Sequence, residues 1–314
     1  MRISERSSMY TVSIAIPVVD EFHFLRGTIE QIKKYKHPEI NQQILVMDQS
    51  NTNHLDRAYQ SDPDVEVIKT TRIDAGYPID EAAKIASGEY FCSLDADCWP
   101  VHPAYLYAPI KAIEKYKLSF VGKATGLHLS YQTQGNFYHI NNYYRVSTTA
   151  LVRKVAEAVS FMRYVNRYKA NFIPNVDVPW TADCDNGVVA NWYVDYAKLG
   201  PKLSLAMNKK LGNTNEMGVY GMTIDELVTH MVFGYGKEWI GNPHKVLGDK
   251  YLEWQNKIMI QGLTNEIIEE IKAAQIPAYQ ILYDRHYWDG TSERPLAPTD
   301  ELYADFSAWK RSVQ

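Results

Sequence analysis

The sequence predicts an α/β protein with a doubly wound, mostly parallel sheet, and two patterns support that fold class. Strand-like and helix-like segments alternate along the first part of the chain, and carboxylates follow several of the strand-like segments. The first strand, TVSIAIPVV, is β-branched and apolar on both faces, as buried parallel strands are. Repeated strand–helix–strand units of this kind build a parallel sheet that is covered by helices.

The remaining elements of this part follow in order. A helix is predicted from Phe22 to Tyr35, where apolar residues recur at helical spacing. QQILVMD and VEVIKTT are the second and third strands. PIDEAAKIAS is a helix, because Pro78 stands near its start and Gly88 just past its end. EYFCSLDAD is then the fourth strand.

The pattern changes after Pro100. LSFVGKATGLHLSY is interpreted as two strands with a turn, the segment from Arg145 to Lys169 as a long helix, and VPWTADCDNGVVANWYVDYAKLG as a loop and a helix that stops at Gly200. No clean linker divides the chain. We therefore expect residues 1–212 to form a catalytic core and residues 213–314 to complete the site and add a C-terminal extension.

Composition limits the classes of protein that need to be considered. The chain has 314 residues, 46% of them hydrophobic, which is enough for a sizeable core. The formal net charge of −4 gives no general reason to expect nucleic acid or an anionic membrane as partner. Three cysteines without a Cys-x-x-Cys pair indicate neither a disulfide framework nor a zinc knuckle. We find no signal peptide and no membrane span in the sequence, so a cytoplasmic location without membrane insertion is expected.

Carboxylates mark one edge of the predicted sheet. Asp20, Asp48 and the pair Asp95 and Asp97 fall at or just after the carboxyl ends of strands, where sheets of this kind bind ligands. A divalent cation that carries a nucleotide diphosphate needs such carboxylates, with water and phosphate oxygens completing its shell. An isolated Asp-x-Asp is also common in solvated turns. Its position on the same edge as Asp20 and Asp48 favours the metal site.

A basic, aromatic segment is a second candidate. Between residues 145 and 169 there are six cations against the single acid Glu157, with three aromatic residues among them: Arg145, Arg153, Lys154, Arg163, Arg167, Lys169, Phe161, Tyr164 and Tyr168. Such a face could contact a phosphate-bearing acceptor. A solvated helix face is the alternative.

With these motifs, the chain resembles the family-2 glycosyltransferases, which have the GT-A fold. The matching pieces are VSIAIPVVDE, ILVMDQSNTN, GYPIDEAAKIASGEYFCSLDADCWP and TADCDNGVVANWYVDYAKLG, and they span roughly Val12 to Gly200. The resemblance implies a Rossmann-like core and an inverting, metal-dependent transfer of sugar from a nucleotide-diphosphate sugar, with a UDP-sugar as the expected donor.

The resemblance also implies roles for individual residues. The nucleotide would be bordered by Pro17, Val18 and Asp20, and its base would be contacted by Asp48. Asp95 would lie near the ribose and the metal, and Asp97 would ligate Mn²⁺ or Mg²⁺.

Four further residues are candidates for a general base and for a third metal ligand. Asp183 would be the general base, although the Asp183-Cys184-Asp185 sequence leaves Asp185 as an alternative. Such enzymes often take a third metal ligand from a late histidine. His230 is our first choice and His244 the second, since neutral imidazole suits Mn²⁺, but a structural role is the alternative.

Two other functions remain possible at this stage. A nucleotidyltransferase would show a glycine-rich, basic loop after the first strand, whereas this chain has PVVDEFHFLRGT there. A non-catalytic sugar- or nucleic-acid-binding module could keep the same fold. The acceptor stays open among a glycan, a protein, a small molecule and a modified DNA base. Neither the oligomeric state nor the role of residues 263–314 is predicted.

Overall fold

A computed structural model gives the structure of the protein. It describes residues 9–19, 22–71, 74–128, 137–162, 186–205, 228–230, 253–254, 256–257, 260–261, 264–270 and 300–313. Strands and helices alternate up to Leu94. These elements are β1 (Tyr10–Val18), α1 (Phe22–Lys34), β2 (Ile40–Asp48), α2 (His54–Tyr59), β3 (Val65–Lys69), α3 (Tyr77–Ile85) and β4 (Tyr90–Leu94).

The later elements are less regular in order. They are β5 (Cys98–Pro100), α4 (Ala104–Tyr116), β6 (Val121–His128), β7 (Phe137–Thr148), α5 (Thr149–Val159), α6 (Val188–Tyr196), β8 (Leu203–Leu205), β9 (Val228–His230) and α7 (Asp300–Arg311). Residues 265–270 are also helical, and they lie within the helix that the sequence predicts around Asn265 to Ala274.

Seven strands form one sheet in the order β3-β2-β1-β4-β7-β6-β8. The strands β1 to β4 are parallel, β7 is antiparallel to both of its neighbours, and β8 is parallel to β6. Six strands therefore run in one direction and β7 in the other. This confirms the predicted α/β class with a mostly parallel sheet.

Helices cover both faces of the sheet, because successive strand residues point to opposite sides. On one face, Ile14 belongs to a buried cluster that includes Leu25 of α1 and Ile110 of α4. On the other face, Ala15 belongs to a cluster that includes Ile79 of α3 and Val155 of α5. The sheet is thus doubly wound, and the edge at which its parallel strands end is bordered by loops.

The predicted helix from Arg145 to Lys169 is wrong at its start. Residues up to Thr148 belong to β7, and Arg145 is only 1% exposed. The helix α5 begins after Thr148, whose hydroxyl accepts the backbone N–H of Leu151 at 3.3 Å as an N-cap. It ends at Val159, since Ser160 has a φ of 61°. Arg145 therefore does not belong to an exposed basic face, and residues 163–169 lie outside the described residues.

Two other boundaries differ from expectation. In its described residues, 118–128, the segment predicted as two strands with a turn contains one strand, β6, which stays paired with β7 through two irregularities in register. The helix α6 ends at Tyr196 rather than at Gly200. The strand-like segment AYQILYD lies outside the described residues.

The C-terminal helix α7 packs on α4, and its Leu302 and Phe306 join the cluster that covers the first face of the sheet. The proposed division into residues 1–212 and 213–314 stays a prediction. In the described part of the chain, none of the helices has the length and apolar character needed to cross a membrane. The cytoplasmic location also stays a prediction.

Candidate functional site

The carboxyl ends of three neighbouring strands are aligned residue by residue. Val18 of β1 is the register partner of Asp48 of β2, and Asp48 is the partner of Lys69 of β3. The loops that leave these strands are tied to the same edge: the N–H of Gln49 donates to the carbonyl of Val18 at 2.9 Å, and the N–H of Thr70 to that of Asp48 at 2.9 Å. Predicted site residues Pro17, Val18 and Asp48 therefore lie together, as expected from a parallel sheet.

Asp48 is fully buried, and both of its carboxylate oxygens have partners inside the protein. One accepts the backbone N–H of Ser50 at 2.8 Å, and the other lies 2.7 Å from the Nζ of Lys69. The Lys69 ammonium also donates to the carbonyls of Ser50, at 2.9 Å, and of Thr52. The pair thus fixes the loop after β2. A contact between Asp48 and a nucleobase stays a prediction.

Asp95, Ala96 and Asp97 form a turn directly after β4, in the middle of the sheet. The N–H of Asp95 donates to the carbonyl of Tyr143 at 3.0 Å, and the Asp95 carbonyl accepts the N–H of Cys98 at 3.0 Å. The carbonyl of Ala96 accepts the hydroxyl of the buried Thr28 in α1. The turn is therefore anchored on both sides. The Asp95 side chain is half-buried, and Asp97 is 6% exposed.

A second small sheet brings a distant segment to this turn. Strand β5 follows Asp97 and pairs antiparallel with β9, so that Cys98 stands opposite His230. The backbone of the predicted histidine ligand is thus one register position from Asp97. Its side chain lies outside what the structure describes, as does His244, and its role as a ligand stays a prediction.

Asp20, Asp183 and Asp185 lie outside the described residues, but the helix that follows the acidic motif is described. It begins at Val188 after Gly187, whose φ of 75° favours glycine. The side chain of the buried Asn191 accepts the N–H of Ile140 at 2.9 Å and donates to the carbonyls of Ile140, at 3.0 Å, and Gly187, at 2.8 Å. These bonds fix the start of α6 against β7.

Two neighbouring acids of the helix α3, Asp80 and Glu81, lie in different surroundings. Asp80 faces the interior, where its carboxylate accepts the N–H of Phe161 at 2.9 Å and the hydroxyl of Ser160. Burial raises the pKa of Asp80 to about 7. Glu81 instead pairs with Lys84 at 2.5 Å on the same helix. Asp80 thus holds the end of α5, and the structure gives it no exposed position for a sugar contact.

The turn supplies two carboxylates, which are the oxygen ligands that a hard divalent cation binds. Within the described ranges, no group of three His, Cys, Asp or Glu side chains is arranged to hold a metal ion. Asp95 and Asp97 would therefore need ligands from a substrate or from the rest of the chain. A cavity of about 140 Å³ lies beside the end of β3, with Lys69, Thr71 and Tyr77 in its wall.

Sequence reasoning missed several residues that hold this site. Lys69 pairs with Asp48, and Thr28 donates to the carbonyl of Ala96, between Asp95 and Asp97; no motif marks either residue. Lys69 could have been found as the cation at the end of the strand next to Asp48, because neighbouring parallel strands end at the same edge. Asn191 carried no signal in the sequence.

The sequence model described as glycosyl transferase family 2 matches residues 13–164, just under half of the chain. No curated protein sequence matches the chain. Among solved structures, S. aureus TarS in complex with UDP-GlcNAc is similar, at 18% identity and a TM-score of 0.37 over 48% of each chain. Glucosyl-3-phosphoglycerate synthase from Mycobacterium tuberculosis, in complex with Mn²⁺ and UDP-glucose, is similar at 13% identity and a TM-score of 0.37, over 48% of this chain and 60% of that one.

The chain therefore spans about half to three fifths of the length of these structures. Both TM-scores are below 0.5, so neither structure bears on which donor or acceptor this chain uses.

Proposed function

We propose that this protein is a glycosyltransferase that takes sugar from a nucleotide-sugar donor, because the sequence model of glycosyl transferase family 2 matches residues 13–164. We further propose a UDP-sugar as donor, a divalent metal as cofactor, and transfer to an acceptor hydroxyl with inversion. The observation that supports the proposal is the Asp95-Ala96-Asp97 turn, anchored at the carboxyl end of β4 between the strands β1 and β7.

In this proposal, separate groups of residues bind the nucleotide and the metal ion. Pro17, Val18 and Asp20 border the nucleotide at the end of β1, and Asp48, held by Lys69, faces its base. Asp97 and Asp95 would hold Mn²⁺ or Mg²⁺, with His230 as a further ligand. When bound, the ion neutralises negative charge that develops on the departing diphosphate.

The acceptor reacts from the opposite side of the sugar. Asp183, or Asp185 in its place, takes the proton of the acceptor hydroxyl as general base. The sugar passes through an oxocarbenium-like state, by analogy with glycoside hydrolysis. A single displacement inverts the anomeric centre.

Thermal denaturation with UDP tests the donor side without knowledge of the acceptor. UDP should raise the Tm only with Mn²⁺ or Mg²⁺ present. At about 100 times the Kd, binding stabilises the folded state by roughly 2.7 kcal/mol. Asp97→Asn should lose the shift, whereas Asp64→Asn, a change of an exposed acid at the amino end of β3 and therefore at the opposite edge of the sheet, should keep it. Equal shifts in Mn²⁺ and in EDTA would contradict the metal role.

The chemistry is then tested with a panel of nucleotide sugars. The parent protein should release the nucleoside diphosphate from at least one of them in a Mn²⁺- or Mg²⁺-dependent reaction. Binding without release from any donor would favour the non-catalytic module. A larger Tm shift with GDP or CDP than with UDP would change only the choice of nucleotide.

A further inference from the structure

Arg145 is a cation held inside the protein. Its side chain is 1% exposed, and its guanidinium carbon lies 4.8 Å from the centre of the Phe120 ring and 4.1 Å from that of the Phe161 ring. One terminal nitrogen donates to the Oδ1 of Asn142 at 2.6 Å. A buried charge is costly unless an opposite charge compensates it.

Across the described residues, Arg145 forms no salt bridge with a carboxylate. The side chains that act electrostatically on it are Cys92 and Asp80. Burial raises the pKa of the Cys92 thiol, which favours its neutral form, and the Asp80 oxygens are bonded to Ser160 and Phe161. Burial lowers the pKa of Arg145 to about 9, so the side chain is still charged at neutral pH. Its positive charge is therefore not neutralised by any of these residues.

Three buried donor groups around this charge have no hydrogen-bond acceptor. They are the second terminal nitrogen of Arg145, the amide nitrogen of Asn142 and the hydroxyl of Ser93. Ser93 on β4 is the register partner of Arg145 on β7, so the two side chains are cross-strand neighbours. Asn142 presents its oxygen to Arg145, which leaves its amide group as a donor.

The strand on the other side packs closely against the backbone of Arg145. Gly122 of β6 is paired with Arg145, and a Cβ at that glycine would lie 2.9 Å from the Cα of Arg145 and 2.3 Å from the carbonyl oxygen of Tyr144. Both neighbours of Arg145 in the sheet are therefore small. A donor-rich, positively charged cluster in such surroundings fits a ligand group that has several acceptor oxygens.

We propose that Arg145, Asn142 and Ser93 bind an oxyanion, a carboxylate or a phosphate, carried by the acceptor. The assignment to the acceptor rests on the proposed function. The fork of an arginine matches the oxygens of both groups. Strand β7 lies on the opposite side of β4 from β1 and β2, so the cluster and the proposed nucleotide site flank the Asp95–Asp97 turn from opposite sides.

The burial of the cluster affects how it binds. Arg145 is closed to solvent, so an entering anion has to displace part of the surrounding packing. Once inside, it interacts through a low effective dielectric, which strengthens the contact.

Thermal denaturation in inorganic phosphate, against chloride at equal ionic strength, tests the site directly. Phosphate should raise the Tm of the parent and of Lys154→Met, a matched loss of an exposed cation on the neighbouring helix α5. Arg145→Met should show no phosphate shift, and Arg145→Lys, which keeps the charge without the fork, a reduced one. In chloride, Arg145→Met should be at least as stable as the parent, because it removes an uncompensated buried charge.

Each other outcome overturns the site. A large loss of stability of Arg145→Met in chloride would mean that the contacts of Arg145 with Asn142, Phe120 and Phe161 outweigh the cost of its buried charge, so that the side chain is structural and needs no anion. An equal phosphate shift in Arg145→Met would mean an adventitious ion only, and a shift lost in Lys154→Met would place the anion on the exposed face of α5. Absence of any shift in the parent would exclude the site altogether.

The acceptor is tested with molecules that differ only in an anionic group, such as glucose, glucuronate and glucose 6-phosphate. The parent should prefer an anionic member, and Arg145→Met should lower kcat/KM for that member by roughly tenfold or more. A phosphate shift in the parent without any such preference would assign the site to free phosphate and overturn the acceptor part. The phosphate measurement needs no transfer, so failure of the proposed function would be seen separately, in the nucleotide-sugar panel.

Discussion

At the scale of single residues, Asp80 shows how burial changes the chemistry of a carboxyl group. Its side chain is 8% exposed, and it accepts hydrogen bonds from Ser160 and Phe161 at the end of α5. Burial raises its pKa from the ordinary 3.8 to about 7, although these hydrogen bonds act in the other direction. The folded protein therefore binds this proton more tightly than the unfolded chain does.

We expect the contribution of Asp80 to the free energy of unfolding to fall as the pH rises from about 4 to about 7. Above that pH the contribution should be constant. The steepest slope is about 1.4 kcal/mol per pH unit. Asp80→Asn keeps the shape and cannot ionise, so its stability should be less sensitive to pH in this range. Urea denaturation at several pH values measures the difference. Glu81→Gln changes the adjacent acid on the same helix and is the control, so the pH dependence of its stability should match that of the parent. If the pH dependence of Asp80→Asn also matches that of the parent, Asp80 is ionised in the folded protein over this pH range.

Site residues could be predicted from the sequence where each of them lies at the end of a recognisable strand. Asp95, Asp97 and Asp48 were predicted because each lies at the end of an apolar run, and all parallel strands end at one edge of the sheet. Their partners Lys69 and Thr28 come from other elements, and no local pattern shows which side chain will reach across. The inward direction of Asp80 depends on the distant turn at Ser160, which the sequence of α3 does not contain.

At the scale of elements, the helix α6 owes its position to one side chain. Asn191 is fully buried and exchanges hydrogen bonds with both backbone groups of Ile140 in β7, and it also donates to the carbonyl of Gly187. Asn191→Ala should lower the free energy of unfolding by roughly 2–4 kcal/mol, because it leaves buried backbone groups unpaired. Chemical denaturation measures this.

The control for Asn191 is Tyr196→Ala on the same helix. Tyr196 is 63% exposed and stacks only on Trp192 among the described residues, so its loss should cost less than about 1 kcal/mol. Equal costs for the two variants would show that the side chain of Asn191 does not anchor the helix.

Element types were predicted well where burial and periodicity agree, as in β1, β2 and α3. The prediction was wrong at Arg145 because an arginine and an apolar run at helical spacing indicate a surface helix, whereas here the arginine is buried in a strand between Phe120 and Phe161. The pairing of β5 with β9 could not be predicted either. It joins segments more than a hundred residues apart, and a three-residue strand has too few residues to show a period.

At the scale of the whole molecule, the C-terminal helix belongs to the same core as the first strands. Phe306 is 4% exposed within the cluster that contains Ile14 and Leu25, and Asp305 accepts hydrogen bonds from Tyr116, at 2.6 Å, and Lys115. Phe306→Ala should therefore lower the free energy of unfolding by about 3–5 kcal/mol. Asp305→Ala, which removes one partly buried hydrogen bond and one exposed ion pair, should lower it much less. If α7 instead formed a separate unit, Phe306→Ala would leave the main unfolding transition in place and shift only a minor one.

The last prediction concerns the general base, on which the proposed reaction as a whole depends. The helix α6 begins at Val188, so the sequence Asp183-Cys184-Asp185 leads directly into its N-terminus. The positive end of the helix dipole favours ionised carboxylates nearby, which keeps a base ready to accept a proton. Asp183→Asn keeps the size of the side chain and removes its basicity. It should bind UDP with Mn²⁺ as the parent does and lose transfer by roughly 100-fold or more.

Asp185→Asn is the matched control, two residues closer to the same helix, and should show a milder loss. Both variants are measured for the UDP-dependent Tm shift and for transfer, so that a defect in donor binding is distinguished from a defect in chemistry. If Asp185→Asn is inactive while Asp183→Asn transfers sugar, the base is Asp185 and the proposed reaction is unchanged. If both transfer sugar at the parental rate, neither acid accepts the proton, and the base has to be sought among other carboxylates on the acceptor side of β4.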